Sequence, residues 1–401
     1  MVKEDLAKNI MAWIREGSAP PTQLTITPTY YCNSQCLSCW RHGKEPDFLS
    51  REPVEMREKR LLELIEEAKE AKVSCIELMG GGEPLFRRDT AEKMIRKIKE
   101  AALQGWLTTN GTMFTPDLIR HMVESGWDKI TFSIDGHDEE LGDFLRPPKG
   151  NFQKATDAVR LFTKIKNELG AKKPELTFST VISKHNVDVL DKITLLACDC
   201  GVQRITFEPI KILAENCKSM TLDFEKEHEK VIAALSKANE LALKKGITTN
   251  ADSLLSSPEL IKYSGKVMDN LQPATQALDA DHALLKTPCL EPWFHIFLDP
   301  YGVARPCCIS ANMNENVNES SLQDIWFGKT FRFYRKAILS GKYPPECNNC
   351  SANMICFSRE IQDLVRESLK SLPTKPAENK GKKSSFAAHF SFPFSFLFKK
   401  R

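Results

Sequence analysis

The sequence predicts an α/β fold: a six-unit partial (β/α) barrel followed by a small C-terminal domain built around cysteines. Two patterns carry that expectation. Strand-like and helical runs alternate six times over residues 20–249. Repeated β-α units make parallel strands with right-handed crossovers, and six fall short of the eight in a closed barrel. Cys32, Cys36, Cys39, the turn Gly80–Pro84, Asn110 and Ser133 all fall at the carboxyl ends of those strands, where such sheets bind ligands.

In chain order, Asp5–Gly17 reads as a leading helix with Ile10, Met11, Trp13 and Ile14 on its apolar side, within a lead-in of residues 1–19. Leu24–Thr29 is the first strand, and the cysteine loop follows it. Arg57–Lys72 sets Leu61, Leu64, Ile65 and Ala68 at helical spacing. Strand Cys75–Met79, helix Thr90–Leu103 and strand Gly105–Thr109 come next. Helix Pro116–Ser125 has Thr115-Pro116 as its start signal and Gly126 as its stop. The remaining units are strand Lys129–Ser133 with helix Asn151–Glu168, strand Glu175–Ile182 with helix Val187–Cys200, and strand Gln203–Glu208 with helix Leu222–Lys245. Residues 250–285 read as a helical bridge and 286–365 as the second domain. In it, strand His295–Leu298 is turned back by Asp299-Pro300-Tyr301-Gly302. Residues 366–401 read as a disordered basic linker and a tail in which Phe390, Phe392, Phe394, Phe396 and Phe398 alternate with other residues. Phenylalanines at period two share one face of an extended strand, and with Lys399, Lys400 and Arg401 they suit contact with a membrane surface.

Composition narrows the class. The hydrophobic fraction of 41% is that of a soluble globular chain. No apolar run reaches the ~18 residues that span a bilayer, and the N-terminus lacks a signal pattern, so a cytoplasmic location is expected. The net charge of +3 is uneven: the tail from Lys375 has seven basic residues and one acidic, leaving the body at about −3. That argues against a nucleic-acid partner. Thirteen cysteines in a cytosolic chain point to metal or redox chemistry. Cys75, Cys198, Cys200 and Cys217 have no cluster spacing and are expected as core filler. His42 and His137 are expected as solvated loop residues.

Cys32, Cys36 and Cys39 form CxxxCxxC directly after a strand. Three thiolates in one short loop can converge on a soft metal centre, and iron–sulfur clusters are held by cysteines at short fixed spacings. Taken alone, the same residues also suit a partial zinc site or three unrelated buried cysteines. With only three ligands, a four-iron cubane would keep one iron open to a cosubstrate. The second strand ends in Gly80-Gly81-Gly82-Glu83-Pro84, where glycines let backbone groups approach a ligand and a carboxylate suits an ammonium group.

Together these two motifs resemble those of the radical S-adenosylmethionine superfamily. The resemblance implies that Cys32, Cys36 and Cys39 hold a 4Fe–4S cluster whose open iron chelates S-adenosylmethionine, with Gly81, Gly82, Glu83 and Pro84 at its amino group. Ser133, Asp135 and Arg146 are implied at its sugar and carboxylate, where an arginine's planar fork can grip with two bonds. Ser38 stands where the family has an aromatic residue against adenine, and Trp40 is the expected substitute.

Beyond the barrel, Cys289, Cys307, Cys347 and Cys350 make a four-thiolate site that suits zinc or an iron–sulfur cluster. The spacing resembles the SPASM/Twitch extensions of the same superfamily, which hold auxiliary 4Fe–4S clusters. Five of the seven SPASM cysteines are matched, and Glu360 stands at a missing one, so one auxiliary cluster is expected, with Cys308 or Cys356 as replacement ligands. The implied reaction is reductive cleavage of S-adenosylmethionine to a 5′-deoxyadenosyl radical, which abstracts hydrogen from a small-molecule or peptide substrate. A flavodoxin or ferredoxin would supply electrons. An auxiliary cluster with four protein thiolates has no open iron, so its expected role is to take an electron in a two-electron oxidation (dehydrogenation). A peptide- or protein-modifying maturase that crosslinks or epimerises is the alternative within the family, and a non-catalytic iron–sulfur or zinc protein the alternative outside it. Only 31 residues precede Cys32, fewer than the leader-peptide-binding domain that peptide-modifying relatives often carry, which weighs against a peptide.

Overall fold

The computed structural model describes residues 3–42, 54–264, 282–310 and 315–370. Helix α1 (Lys3–Glu16) leads into β1 (Gln23–Ile26), followed by α2 (Glu58–Glu70), β2 (Cys75–Leu78), α3 (Arg88–Glu100) and β3 (Gln104–Thr109). Then come α4 (Pro116–Glu124), β4 (Lys129–Ser133), α5 (Glu139–Leu145), α6 (Asn151–Leu169), β5 (Glu175–Ile182) and α7 (Leu190–Asp199). The barrel ends with β6 (Arg204–Pro209), α8 (Glu215–Lys218), α9 (Phe224–Lys245) and β7 (Thr248–Thr249). The C-terminal part holds α10 (Ala251–Leu255), α11 (Pro258–Lys262), β8 (His295–Leu298), β9 (Ala304–Arg305), α12 (Leu322–Trp326), α13 (Lys329–Leu339) and α14 (Ala352–Lys370).

The six expected β-α units are present, and their strands pair in parallel in chain order. Side chains in β3, β4 and β6 alternate between buried and half-buried, the period of a sheet with one covered face. Helix starts are set by local chemistry. Thr115 caps α4, accepting from the Leu118 N–H at 3.3 Å, and Asp138 caps α5, accepting from the Leu141 N–H at 2.9 Å. The helix expected to begin at Val187 starts at Leu190, after a 3-10 turn.

The sheet is wider than the six strands expected, running β7-β6-β5-β4-β3-β2-β1-β8-β9. The strand of the second domain is β8, and it lies parallel to β1, from Gln23 opposite His295 to Ile26 opposite Leu298. All four β8 residues are buried. Only the short β9 returns antiparallel, as the Asp299–Gly302 turn requires. A four-residue apolar strand cannot bury both faces in a small hairpin, and the edge of β1 offers it paired backbone and a ready core.

A second core joins α1 to the C-terminal part. Leu6, Ala7 and Ile10 of α1 pack with Leu290, Trp293, Phe294, Ile338, Ile361 and Val365. Arg335 lies over the rings of Trp326 (4.3 Å) and Trp13 (4.6 Å), and its Nε donates to Pro292 O at 2.8 Å. Trp13 Nε1 donates to Trp293 O and Trp326 Nε1 to Ala19 O, each at 2.8 Å. Among the described residues no helix is long and apolar enough to cross a membrane. Helix α14 runs on through residues 366–370, which the sequence reading places in the disordered linker; part of the expected bridge (265–281), the rest of the linker and the Phe-rich tail lie outside the described residues.

Candidate functional site

The chain leaves β1 through Tyr30 and enters the loop carrying Cys32, Cys36 and Cys39, which is fastened from two sides. From beyond α5, Pro147 O accepts the Gln35 N–H (2.9 Å) and Leu145 O the Leu37 N–H (3.0 Å). From α8, Asn216 Nδ2 donates to Leu37 O (3.0 Å) and Cys39 O (2.8 Å), while the Cys217 thiol donates to Ser38 O (3.3 Å). The sequence reading did not foresee α8. Cys217 is buried as expected of filler, yet its thiol also braces the loop. Cys75 and Cys200 are fully buried, and Cys198 is half-buried. All thirteen cysteines are free of disulfides.

The sulfurs face donors. Cys32 Sγ accepts from the Ser34 N–H at 3.4 Å and lies 3.9 Å from Asn110 Nδ2; Arg146 Nη1 stands 3.8 Å from Cys36 Sγ. Burial pushes the Cys36 thiol up to about 11, opposed by Arg146, and burial also raises Cys39. Cys36 lies in the electrostatic field of Cys39 and Cys32, and Cys39 in that of Cys32. Three mutually coupled thiols with N–H and guanidinium donors aimed at them are a donor set that fits thiolates on a cluster. Among the described residues, no three His, Cys, Asp or Glu side chains are grouped to hold a single metal ion. A cubane of several irons sets its thiolates further apart than one ion does.

The Gly80–Pro84 turn packs against the exit of β1. A Cβ on Gly81 would meet the Tyr30 ring at 2.3 Å and one on Gly82 the Tyr31 carbonyl oxygen at 2.1 Å, so neither position admits a side chain. Trp40 meets Tyr30 edge-on with ring centroids 6.1 Å apart, which places it beside this turn and on the loop.

The Glu83 carboxylate is held within the protein. Assigned from the sequence to an ammonium group, it is buried and already accepts from Thr109 Oγ1 (2.7 Å), the Asn110 N–H (2.7 Å) and the Leu85 N–H (3.1 Å). Burial raises its pKa and those three bonds oppose the rise. Glu83 therefore ties the turn to the end of β3, and the turn's remaining polar groups there are backbone.

Asn110 is the hub of the opposite wall. Its Nδ2 donates to Asn33 Oδ1 (2.9 Å) and Ser34 Oγ (3.2 Å), and its Oδ1 accepts from the Thr112 hydroxyl (2.7 Å). Asn151 Nδ2 also reaches Ser34 Oγ (3.0 Å) and Arg146 O (3.1 Å). Asp135 is buried, holding Arg146 Nε at 2.7 Å through Oδ2 and the Val181 N–H at 2.8 Å through Oδ1. Burial disfavours the charge on Arg146, but Asp135 and the nearby thiols outweigh it and raise its pKa. Ser34, Asn110, Ser133, Asp135, Arg146 and Phe152 line one pocket, so the residues predicted from the ends of separate strands share a wall beside the cysteine loop. His42 is exposed, and His137 pairs with the neighbouring Asp138 at 3.1 Å.

In the C-terminal part, Cys289, Cys307, Cys347 and Cys350 are drawn together. Burial pushes Cys347 and Cys350 up to about 12, and Cys289 and Cys307 well above the ordinary thiol value. Cys289 feels Cys350 and Cys307, and Cys350 feels Cys347 and Cys308. The donor set fits four thiolates around a cluster. Of the two replacement ligands, Cys308 adjoins this group, whereas the Cys356 thiol donates to Ser253 O at 3.3 Å among the charges of Arg359, Glu360 and Glu259.

Comparison with known proteins agrees with this geometry. A family profile described as the radical SAM superfamily matches residues 26–171, and one described as an iron–sulfur cluster-binding domain (SPASM) matches residues 289–351. The chain is 29% identical over 191 residues to the mycofactocin maturase MftC of Mycolicibacterium smegmatis, covering 47% of this chain and 45% of that protein. It is 22% identical to the tungsten-containing aldehyde ferredoxin oxidoreductase cofactor-modifying protein of Pyrococcus furiosus, over 85% of this chain and 90% of that one. Among solved structures, Streptococcus suis SuiB bound to its precursor peptide SuiA superposes with a TM-score of 0.60 at 14% identity, covering 83% of this chain and 71% of SuiB. Native anSMEcpe with bound AdoMet gives 0.58 at 16% identity, covering 84% and 89%.

Proposed function

We propose that this chain, which belongs to the radical S-adenosylmethionine superfamily and carries a C-terminal SPASM domain, carries out a two-electron oxidation of a peptide or of a group borne on a protein. When bound, a 4Fe–4S cluster at Cys32, Cys36 and Cys39 supplies the electron that splits S-adenosylmethionine into methionine and a 5′-deoxyadenosyl radical, and one at Cys289, Cys307, Cys347 and Cys350 supplies an acceptor for a second electron.

The observation that carries the oxidative reading is the stretch from Phe207 in β6 to Cys217 in α8, which touches both cysteine sites. Asn216 and Cys217 hold the first loop. Glu208 accepts from Ser351 and Asn353, directly after Cys350, and Asn353 Nδ2 also reaches Phe207 O at 2.7 Å. The two sites are thereby fixed against one short stretch of backbone, as a substrate that loses electrons at one and delivers them to the other requires.

Around the first site, Gly81 and Gly82 bring backbone close to the cosubstrate, with Pro84 completing the turn and Glu83 fixing its position. Ser133 and Arg146 face its polar end. Asp135 orients the Arg146 fork through Nε and Nη1 faces the Cys36 sulfur, which leaves Nη2 to bind. Trp40 and Tyr30 supply the aromatic surface for adenine. The peptide class rests on SuiB, solved with its precursor peptide, and on the maturase and cofactor-modifying relatives. The test is an anaerobic reaction of the reconstituted chain with S-adenosylmethionine, reductant and candidate peptides, read by mass spectrometry. The reading expects one S-adenosylmethionine consumed per product and a product lighter by two hydrogens. A product isomeric with its substrate would overturn it in favour of an epimerase.

A further inference from the structure

The auxiliary site concentrates negative charge. Four thiolates on a cluster leave a net anionic group, and Glu291, two residues from Cys289, adds its carboxylate to the field felt by Cys289, Cys307, Cys308 and Cys350. Glu291 is itself buried, held by His295 Nδ1 at 2.6 Å, whose Nε2 in turn meets Thr25 Oγ1 at 2.8 Å.

A cation faces this group from the barrel. Lys211 follows β6, has a mostly buried side chain (23% exposed), and sits 3.1 Å from Glu208 Oε1. Its ammonium lies in the field of the Cys308 and Cys350 thiols. Its seat is built rather than incidental. Glu208 is held by Ser351 and Asn353; Asn353 Oδ1 accepts from Asn250 Nδ2 at 2.8 Å; and Asn250 bonds the Phe207 backbone through both amide atoms at 2.8 and 2.9 Å. A long flexible lysine is thus confined beside the thiols by residues from β6, α10 and α14. Burying an ammonium is costly unless paired, and one carboxylate already neutralises it. Its approach to the cysteines therefore serves the charge on their side.

We propose that Lys211 is a positioning residue that sets the electron affinity of the auxiliary site, holding its reduced, more negative state at a higher potential than the thiolates alone would give. The proposal rests on the reading of Cys289, Cys307, Cys347 and Cys350 as an iron–sulfur site. A fixed cation stabilises the extra electron of the reduced form more than it stabilises the oxidised form. Glu208 holds the ammonium at 3.1 Å and so orients the cation, while its own carboxylate acts on the Cys308 thiol in the opposite sense.

The test separates the two claims. The full chain with Cys32, Cys36 and Cys39 changed to Ala removes the first site, and the variant is reconstituted anaerobically so that only the auxiliary site holds iron. Iron analysis should give about four per chain; absence of iron would overturn both the auxiliary reading and the proposal. In that background, Lys211→Met and Lys211→Arg are compared by a redox titration followed by electron paramagnetic resonance. The expected result is a midpoint potential shifted to more negative values in Lys211→Met and close to the parent in Lys211→Arg. Equal potentials in all three proteins, each with full iron, would overturn the proposal and leave the iron–sulfur reading intact. Loss of iron from Lys211→Met alone would support it through cluster retention, whereas loss from both variants would show that the site needs lysine's shape and not its charge.

Discussion

The two cysteine sites are built on opposite plans. Around Cys32, Cys36 and Cys39 the protein surrounds the sulfurs with donors (Ser34 N–H, Asn110 Nδ2 and Arg146 Nη1) and with a pocket open beside them. Burial raises thiols at both sites, but around Cys289, Cys307, Cys347 and Cys350 the charges acting on the sulfurs are the carboxylates Glu291 and Glu346 and the ammonium of Lys211. A site that must admit a cosubstrate needs polar groups poised toward it; one that only passes electrons needs none. The difference is the one expected of the proposed division, with chemistry at the first site and electron acceptance at the second.

The most severe way to break that contrast is to delete one site at a time. Replacing Cys32, Cys36 and Cys39 with Ala should abolish S-adenosylmethionine cleavage entirely, while about half the iron of a two-cluster protein stays. Residual cleavage above the background of reductant alone would refute the division. Replacing Cys347 and Cys350 with Ala should abolish product yet leave 5′-deoxyadenosine release in progress, uncoupled from oxidation. Full product from that variant would show the second site to be structural.

Glu83 sharpens the comparison at the level of stability. Glu83→Ala leaves the Thr109 hydroxyl and the Asn110 and Leu85 N–H groups facing a buried void, which should cost about 2–4 kcal/mol. Chemical denaturation of the cluster-free protein measures it. The folded-state pKa of Glu83 is raised, so the folded chain binds this proton more tightly than the unfolded one. Its contribution to stability therefore falls as pH rises from the unfolded value near ~4.3 through the folded one. Glu83→Gln should remove that component of the pH slope, and an unchanged slope would contradict it.

A smaller effect compares the thiols directly. The thiolate is the nucleophile, and Cys347 and Cys350 are pushed to about 12 against about 11 for Cys36. At one pH, alkylation of the cluster-free protein should therefore modify Cys36 faster than Cys347 or Cys350. Peptide mapping over time would show it, and the reverse order would refute the burial argument. The mildest change is Asn216→Ala, which removes two bonds to the first loop and should cost about 1 kcal/mol. Iron should then be lost from the first site before the second on acidification.

What the sequence determined by itself was what short-range spacing encodes. CxxxCxxC after one strand, Gly80–Pro84 after the next, and period-two and helical runs for six units each lie within a window of a dozen residues. The fold class and the two cysteine sites were legible from them. Tertiary structure alone decided which groups those residues meet. The Glu83 carboxylate is spent on Thr109 and Asn110, more than twenty residues away, and no local pattern separates a carboxylate aimed at a ligand from one aimed at its neighbours. Asn216 and Cys217 brace a loop some 180 positions earlier, and β8 finds the edge of β1 across 270 residues. Such contacts arise from the closing of the sheet and its cores, which bring together polar side chains whose own surroundings in the chain carry no sign of their partners.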